Sequence, residues 1–405
     1  MTELWRPAPR SRTAESILAA VEADRSARPE RFRLDPDHLA SVALKNTDDL
    51  DLLPAGWRDG LEQYVASASE DGRLNALGIR NVCSTAIGRL RAGVAMARHR
   101  RSSRDAATPM IGSPVVITGG WRTGTTFLFR LLATDPRLRA PLPAELVDPV
   151  GVARLGYNER AQFLESAAAT HDLLHQLTPE LRSIHDSGAH LAEECVLGMG
   201  TDLRNWGFSS TVRLDSYTSW LAGQDLAGTY QRYRHVIETL AGGDDRRWVL
   251  KAPAHLAELR HLVDAFPGAV VVQLHRDIVE TVASGASLFA TFRSTYSDEV
   301  DPADVGRFLA DQTELWFRRA RAYRSSPAAT ATLLDVDYRR LVRDPVGVLV
   351  DVCEAAGLEA PPDTGAFVDA YKTAQPHHGH GTHSYPAAAF GLDEHELRER
   401  FAFLE

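Results

Sequence analysis

The chain has 405 residues, 44% of them apolar and 24% charged, enough to bury a full core in one large domain or in a catalytic domain with an accessory one. A formal net charge of −9 argues against a nucleic-acid surface or an anionic membrane as general partner, so cations serving an anionic ligand must be local. Three widely spaced cysteines, Cys83, Cys195 and Cys353, give neither a disulfide framework nor a metal motif, and a reducing cytoplasm is the simplest home for them.

Met1 to Arg25 mixes Glu, Arg and Pro without an unbroken apolar core, unlike a secretory signal, and no stretch approaches the ~20 apolar residues needed to span a bilayer. Helical spacing recurs at 14–26 and 74–100, where Leu77, Val82, Leu90 and Val94 fall on overlapping faces, and Arg98 to Asp105 reads as a polar break. Residues 1–108 are therefore expected to form a helical N-terminal region, followed by a catalytic domain at 109–405.

Val115-Val116-Ile117-Thr118 leads into Gly119 and, five residues on, Gly124, the glycine spacing of a phosphate loop. Thr125 stands where a nucleotide triphosphatase carries the Lys that reads the γ-phosphate. Backbone N–H groups at the start of the following helix still offer unpaired donors and a partial positive charge. The loop thus predicts a nucleotide 5'-phosphate ligand without a γ-phosphate.

Asp135-Pro136 stops that helix, and Pro141, Pro143 and Pro149 keep the next segment irregular. Residues 155–245 read as a mostly helical insertion of the kind that builds substrate pockets, with Trp206, Phe208, Tyr217, Trp220, Tyr230 and Tyr233 as apolar lining or as core. Trp248-Val249-Leu250-Lys251 and Ala269 to Leu274 read as buried parallel strands, the second ending in His275-Arg276-Asp277. Ligands of open α/β sheets bind beyond such strand ends, and Ser284, two helical turns past Arg276, returns to about the same face. Of 45 basic residues three are lysine, and Lys251 is the one at a strand end, where a compact ammonium can approach a bridging oxygen. His377, His378, His380 and His383 have no Cys or carboxylate ligand spaced among them, so no metal site is expected.

Arg122-Thr123-Gly124-Thr125-Thr126 after a strand resembles the 5'-phosphosulfate loop of sulfotransferases that use 3'-phosphoadenosine-5'-phosphosulfate (PAPS), where Lys or Arg precedes S/T-G-T-T. Arg276 and Ser284 keep the spacing of the same family's 3'-phosphate region. Tyr338-Arg339-Arg340-Leu341-Val342-Arg343-Asp344-Pro345 is similar to its Y-E-D-L-x-x-D-P turn, with arginines for the acidic pair. His380-Gly381-Thr382-His383-Ser384-Tyr385 is similar to an H-G-R-H-R-Y loop of bacterial members, with Thr382 and Ser384 standing for arginines.

The resemblance runs from about Pro114 to the C-terminus. It implies an α/β, P-loop-like three-layer fold with a short central parallel sheet flanked by helices. It also implies PAPS as sulfuryl donor, 3'-phosphoadenosine-5'-phosphate (PAP) as product, and no metal. Donor binding falls by resemblance on Arg122, Thr123, Gly124, Thr125, Thr126, Arg276, Ser284, Gly381 and Thr382. Phe127 takes the place of an adenine-stacking Trp, with an inward helix Phe as the alternative.

In-line sulfuryl transfer builds charge on the departing phosphate bridge, which makes Arg122 and Lys251 the candidate stabilisers. The resemblance sets Lys251 against the Lys of K-T-H in cytosolic members, whose basic His position is Pro253 here. The general base is left between Glu145, near where tyrosylprotein sulfotransferases carry their catalytic Glu, and His255, four residues after Lys251. Glu193-Glu194, with His185 and His190 nearby, is a third option. The acceptor is expected to be a hydroxyl or amine of a small molecule, glycolipid or natural product. Two other classes stay open: a P-loop kinase or NTPase, and a non-catalytic nucleotide-binding protein that keeps the cradle without a base.

Overall fold

Apolar runs that alternate between two faces dictate the centre of the molecule, which the computed structural model describes over residues 3–44, 49–102, 111–374 and 386–404. β1 (Val115–Gly119), β2 (Leu138–Arg139), β3 (Arg247–Lys251), β4 (Val270–His275) and β5 (Thr332–Asp337) form one five-stranded sheet in the order β2-β3-β1-β4-β5. Every pairing is parallel. Val116, Leu250 and Val271 enter one hydrophobic core, while Val115, Ile117, Val249, Val270, Val272 and Leu274 enter the other. Strands covered on both faces need this pattern, and helices supply the cover.

One face is covered by the helix Thr125–Ala133, through Leu128, Phe129, Leu131 and Leu132, and by the helix Pro345–Ala355. The other carries the helices Ile278–Tyr296 and Pro302–Arg324 together with the N-terminal helices Trp57–Glu70 and Ala76–Ser102. Leu61, Val82 and Leu90 share a single core with Trp121, Leu250 and Trp316, so the N-terminal helices and the sheet are packed as one body.

Two local readings change. The helix Ala76–Ser102 runs straight through Arg98 to Arg101, where a break was expected. His99, Arg100 and Arg101 occupy its last turn, where cations meet the negative end of the helix dipole, so the basic run extends the helix. The segment expected to be irregular holds β2, defined by pairing of Leu138 with Arg247 and Arg139 with Trp248, and the helices Pro143–Val147 and Pro149–Ala153, each opened by a proline at its first position, where the missing N–H costs nothing.

Register then positions the site. Ile117 lies opposite Lys251 and Gly119 opposite Leu274, so β1, β3 and β4 end at nearly one level. The turns that leave them converge on one edge, the carboxyl edge where open α/β sheets bind ligands. Gly124 caps the helix after β1 at φ 89°, and a Cβ there would lie 2.8 Å from Leu341 Cδ2 and 3.3 Å from Tyr338 Cδ2. Gly124→Ala is expected to lower unfolding free energy by about 1–2 kcal/mol from the left-handed backbone alone, and more from the contact. Urea midpoints check this, and an unchanged midpoint would mean that the loop relaxes freely.

Candidate active site

The loop after β1 is held by short local bonds. Thr118 donates its hydroxyl to the Ala252 carbonyl at 2.9 Å, tying the end of β1 to the turn after β3. Thr123 donates to the Gly120 carbonyl at 2.9 Å and closes the loop on itself. Gly120 has no room for a side chain, since a Cβ would meet Thr281 Cγ2 at 2.5 Å. The first helical bond runs from Leu128 N to Gly124 O, which leaves the Thr125, Thr126 and Phe127 amides at an open helix start. Such a start is an anion cradle.

Arg122 takes a left-handed φ of 58°, an uncommon conformation for a residue with a side chain. It is held from both ends. Its guanidinium donates to the Ile184 carbonyl, and its own carbonyl accepts from Arg276 Nη1 at 2.9 Å. Arg276 also lies over the Tyr338 ring at 4.3 Å and pairs with Glu280, Nε to Oε2 at 2.7 Å. Ser284 sits one turn beyond Glu280 in the helix Ile278–Tyr296, half-buried.

Lys251, the last residue of β3, is 2% exposed, and its ammonium lies 2.5 Å from Glu194 Oε1. Its amide donates to Cys195 Sγ at 3.2 Å and its ammonium lies 6.0 Å from the Phe129 ring. Glu194 is 20% exposed at its side chain, so one end of this pair meets solvent. The neighbouring Glu193 is buried and lies 3.7 Å from His185 Nε2. Burial alone would raise its carboxyl, but His185 and Lys251 hold it down at about 2.

The segment carrying these groups is strapped over the strand ends. Arg130, inward on the helix after the loop, donates to the Asp186 carbonyl at 2.7 Å and the Ala192 carbonyl at 3.5 Å, and Glu193 N donates to the Pro141 carbonyl at 3.0 Å. Arg122, Lys251, Glu193, Glu194 and His185 are thereby brought together. Sequence reading missed Arg130 as a strap and Tyr338 as the platform under Arg276. The Arg276–Glu280 pair was readable from its i,i+4 spacing.

Glu145 and His255 are placed differently. Glu145 is 1% exposed, with Oε2 accepting from Leu142 N at 2.9 Å and Oε1 facing Arg139 at 3.5 Å and Arg160. His255 is fully buried, its Nδ1 2.9 Å from the Tyr230 hydroxyl and its Nε2 without a partner. Burial lowers its pKa to about 3, so the imidazole is neutral. Phe127 is half-buried and meets the Tyr371 ring edge-on at 5.5 Å. Gly381, Thr382 and the four histidines of their loop lie outside the described residues. Among the described residues no group of His, Cys, Asp and Glu has metal-binding geometry, and no helix is long and apolar enough to cross a membrane.

A parallel sheet whose carboxyl edge gathers an open helix start and three cations has the layout in which open α/β sheets take anionic ligands. The profile of the sulfotransferase family matches residues 114–362, more than half of the chain, and the chain belongs to that family. The omega-hydroxy-beta-dihydromenaquinone-9 sulfotransferases Stf3 of Mycobacterium bovis and Mycobacterium tuberculosis are each 23% identical over 278 residues, covering 63% of this chain and 65% of theirs. The match thus spans slightly less than two thirds of the length of these curated relatives. The crystal structure of sulfotransferase STF1 from Mycobacterium tuberculosis H37Rv superposes with a TM-score of 0.74 at 26% identity, covering 91% of this chain and 98% of that one. Sulfotransferase STF9 from Mycobacterium avium shares the fold, with a TM-score of 0.75 at 21% identity and coverage of 93% and 95%.

The buried imidazole gives a pH test. Unfolded, His255 binds its proton near pH 6.5; folded, only near 3. The unfolded chain therefore holds the extra proton between these values, and stability falls as pH drops through that window. His255→Asn, which keeps an acceptor for Tyr230, should flatten that part of the stability-pH curve measured by urea unfolding. An unchanged slope would mean that His255 is not a buried neutral group.

Proposed function

We propose that the chain moves a sulfuryl group from PAPS to a hydroxyl or amine of a small-molecule or lipid acceptor, with the Lys251–Glu194 pair at the centre of the chemistry. The observation that carries this is the convergence of Arg122, Lys251 and Arg276 on one strand edge around an open helix start, with a partly exposed carboxylate 2.5 Å from the lysine ammonium. The cradle fits a 5'-phosphate: it is glycine-lined where side chains would collide, and it lacks a lysine at Thr125 to reward a γ-phosphate.

The amides of Thr125, Thr126 and Phe127, with Thr123 and Gly124 shaping the turn, take the 5'-phosphate. Arg276 and Ser284 take the 3'-phosphate once Glu280 turns away, and Phe127 flanks the adenine. Gly381 and Thr382 complete the donor site on the strength of the resemblance alone. Bound PAPS supplies an activated sulfuryl group whose bond to the phosphate bridge breaks as the acceptor attacks in line.

Of the groups considered as base, Glu194 fits best. It is the one that combines solvent access with contact to Lys251, whereas both Glu145 oxygens are engaged and His255 faces the core. Glu194 accepts the acceptor's proton and loses its charge as it does so. Lys251 is then freed to meet the charge that grows on the bridging oxygen, so positive charge is never left buried without a partner. Arg122 stabilises the same oxygens from the loop side.

The Stf3 relatives are named for a hydroxylated dihydromenaquinone, which favours a lipophilic alcohol as acceptor here. The three cysteines are buried free thiols, in keeping with a reducing cytoplasm.

PAP should bind in the presence of EDTA, and Arg276→Ala should weaken it by about 1.5–3 kcal/mol, roughly ten- to a hundredfold, while AMP affinity hardly moves. Calorimetry checks both, and equal losses for PAP and AMP would remove Arg276 from the 3'-phosphate. Glu194→Gln should lower kcat for labelled sulfate transfer from PAPS to an alcohol by about 10²–10⁴ and abolish the acidic limb of the pH-rate profile. If that limb persists in Glu194→Gln and vanishes in Glu145→Gln, the base is Glu145.

A further inference from the structure

A cavity of about 190 Å³ lies where the N-terminal helix Ala76–Ser102 meets the helix Ala227–Ala241 and the 198–201 turn. None of the residues that line it belongs to the strand-end cleft. Its apolar wall includes Leu52, Met96, Ala97, Met199 and Val236. An apolar cavity of about 150 Å³ holds a benzene ring, so this one has room for a medium-length alkyl chain or a substituted ring.

The polar part of the lining is cationic. Arg232 is already matched, since its guanidinium pairs with the buried Asp202 carboxylate, which also accepts from Thr229 at 2.6 Å. Arg100 is not matched: its Nη1 donates to His235 Nδ1 at 2.9 Å and no ion pair joins it to a carboxylate among the described residues. Since His235 accepts that bond it is neutral, and the rim keeps one net positive charge. Tyr233 completes the wall at 1% exposure, with its hydroxyl beside the Cys195 thiol. An apolar chamber with one arginine at its rim that no carboxylate matches is built for a molecule with matching parts.

We infer that this cavity is a second binding site, separate from the donor cleft, for an amphiphilic monoanion: an apolar chain or ring carrying one carboxylate or one sulfate monoester, its head on Arg100 and its body between Met96, Ala97 and Val236. A charge-assisted contact to Arg100 supplies the preference for an anion, and the apolar wall supplies the preference for a tail over a bare ion. The inference stands whether or not the donor reading holds, because no residue is shared.

The test is calorimetry of the chain saturated with PAP, using octanoate, octyl sulfate, octanol and inorganic sulfate as probes. Octanoate and octyl sulfate should each bind once per chain, their ratio showing which head the rim favours, and octanol and inorganic sulfate should each bind at least about tenfold more weakly. Arg100→Gln should erase the gap between octanoate and octanol. Ala97→Phe should abolish binding of both anions while leaving PAP affinity intact. Gly93→Leu offers a second way to fill the space, since a Cβ there meets Thr201 only at an ordinary 3.4 Å. Octanol binding as tightly as octanoate in the unsubstituted chain overturns the inference. So does octanoate binding that survives in both filled variants, or the failure of either anion to bind.

Discussion

Everything at the cleft depends on three parallel strands ending level, because that register forces Arg122, Lys251 and Arg276 toward one edge of the sheet. Like charges gathered at one edge repel unless each meets a partner, and the buried Lys251 needs one most. The chain answers with three different partners. Arg122 takes the Ile184 carbonyl, Lys251 the Glu194 carboxylate, and Arg276 both Glu280 and the Tyr338 ring. Two of these partners lie on one segment, residues 184–194, which is why that segment is strapped down by Arg130 instead of lying free as a surface loop. Each cation is thus held by an internal partner, a neutral carbonyl for Arg122 and a carboxylate for Lys251 and for Arg276.

How much of this was legible follows from the range of the interactions. The loop was readable because glycine requirements are local: Gly119 and Gly124 are needed where the backbone turns left-handed or closely approaches a neighbour. The strands were readable because burial on both faces leaves unbroken apolar runs, and Arg276 because it ends one of them. Lys251 with Glu194, 57 residues apart, and Arg122 with Ile184, 62 apart, left no periodic trace. The same limit explains the two candidate bases. Glu145 was favoured by its segment and His255 by the intrinsic pKa of imidazole. What surrounds them, two arginines for one and Tyr230 in an apolar core for the other, is a property of the folded chain alone.

The N-terminal helices show how fold and site are coupled. They share one core with Trp121, next to the phosphate loop, and with Leu250, next to Lys251. Trp121 packs against Phe289 and Trp316 at 4.9 and 5.2 Å, and Gly285 leaves the space its ring needs. A rigid layer behind the loop keeps its amides aimed without reorganisation when an anion arrives, the condition for electrostatic stabilisation of a transition state.

The most direct test of the account is a crystal structure of the chain with PAP bound. The 5'-phosphate is expected on the amides of Thr125, Thr126 and Phe127, with the Lys251 ammonium moved from Glu194 to a phosphate oxygen and the Glu194 carboxylate facing open space for an acceptor. PAP seated away from the helix start, or a phosphate on the cradle with Lys251 still locked to Glu194 and out of its reach, would contradict it.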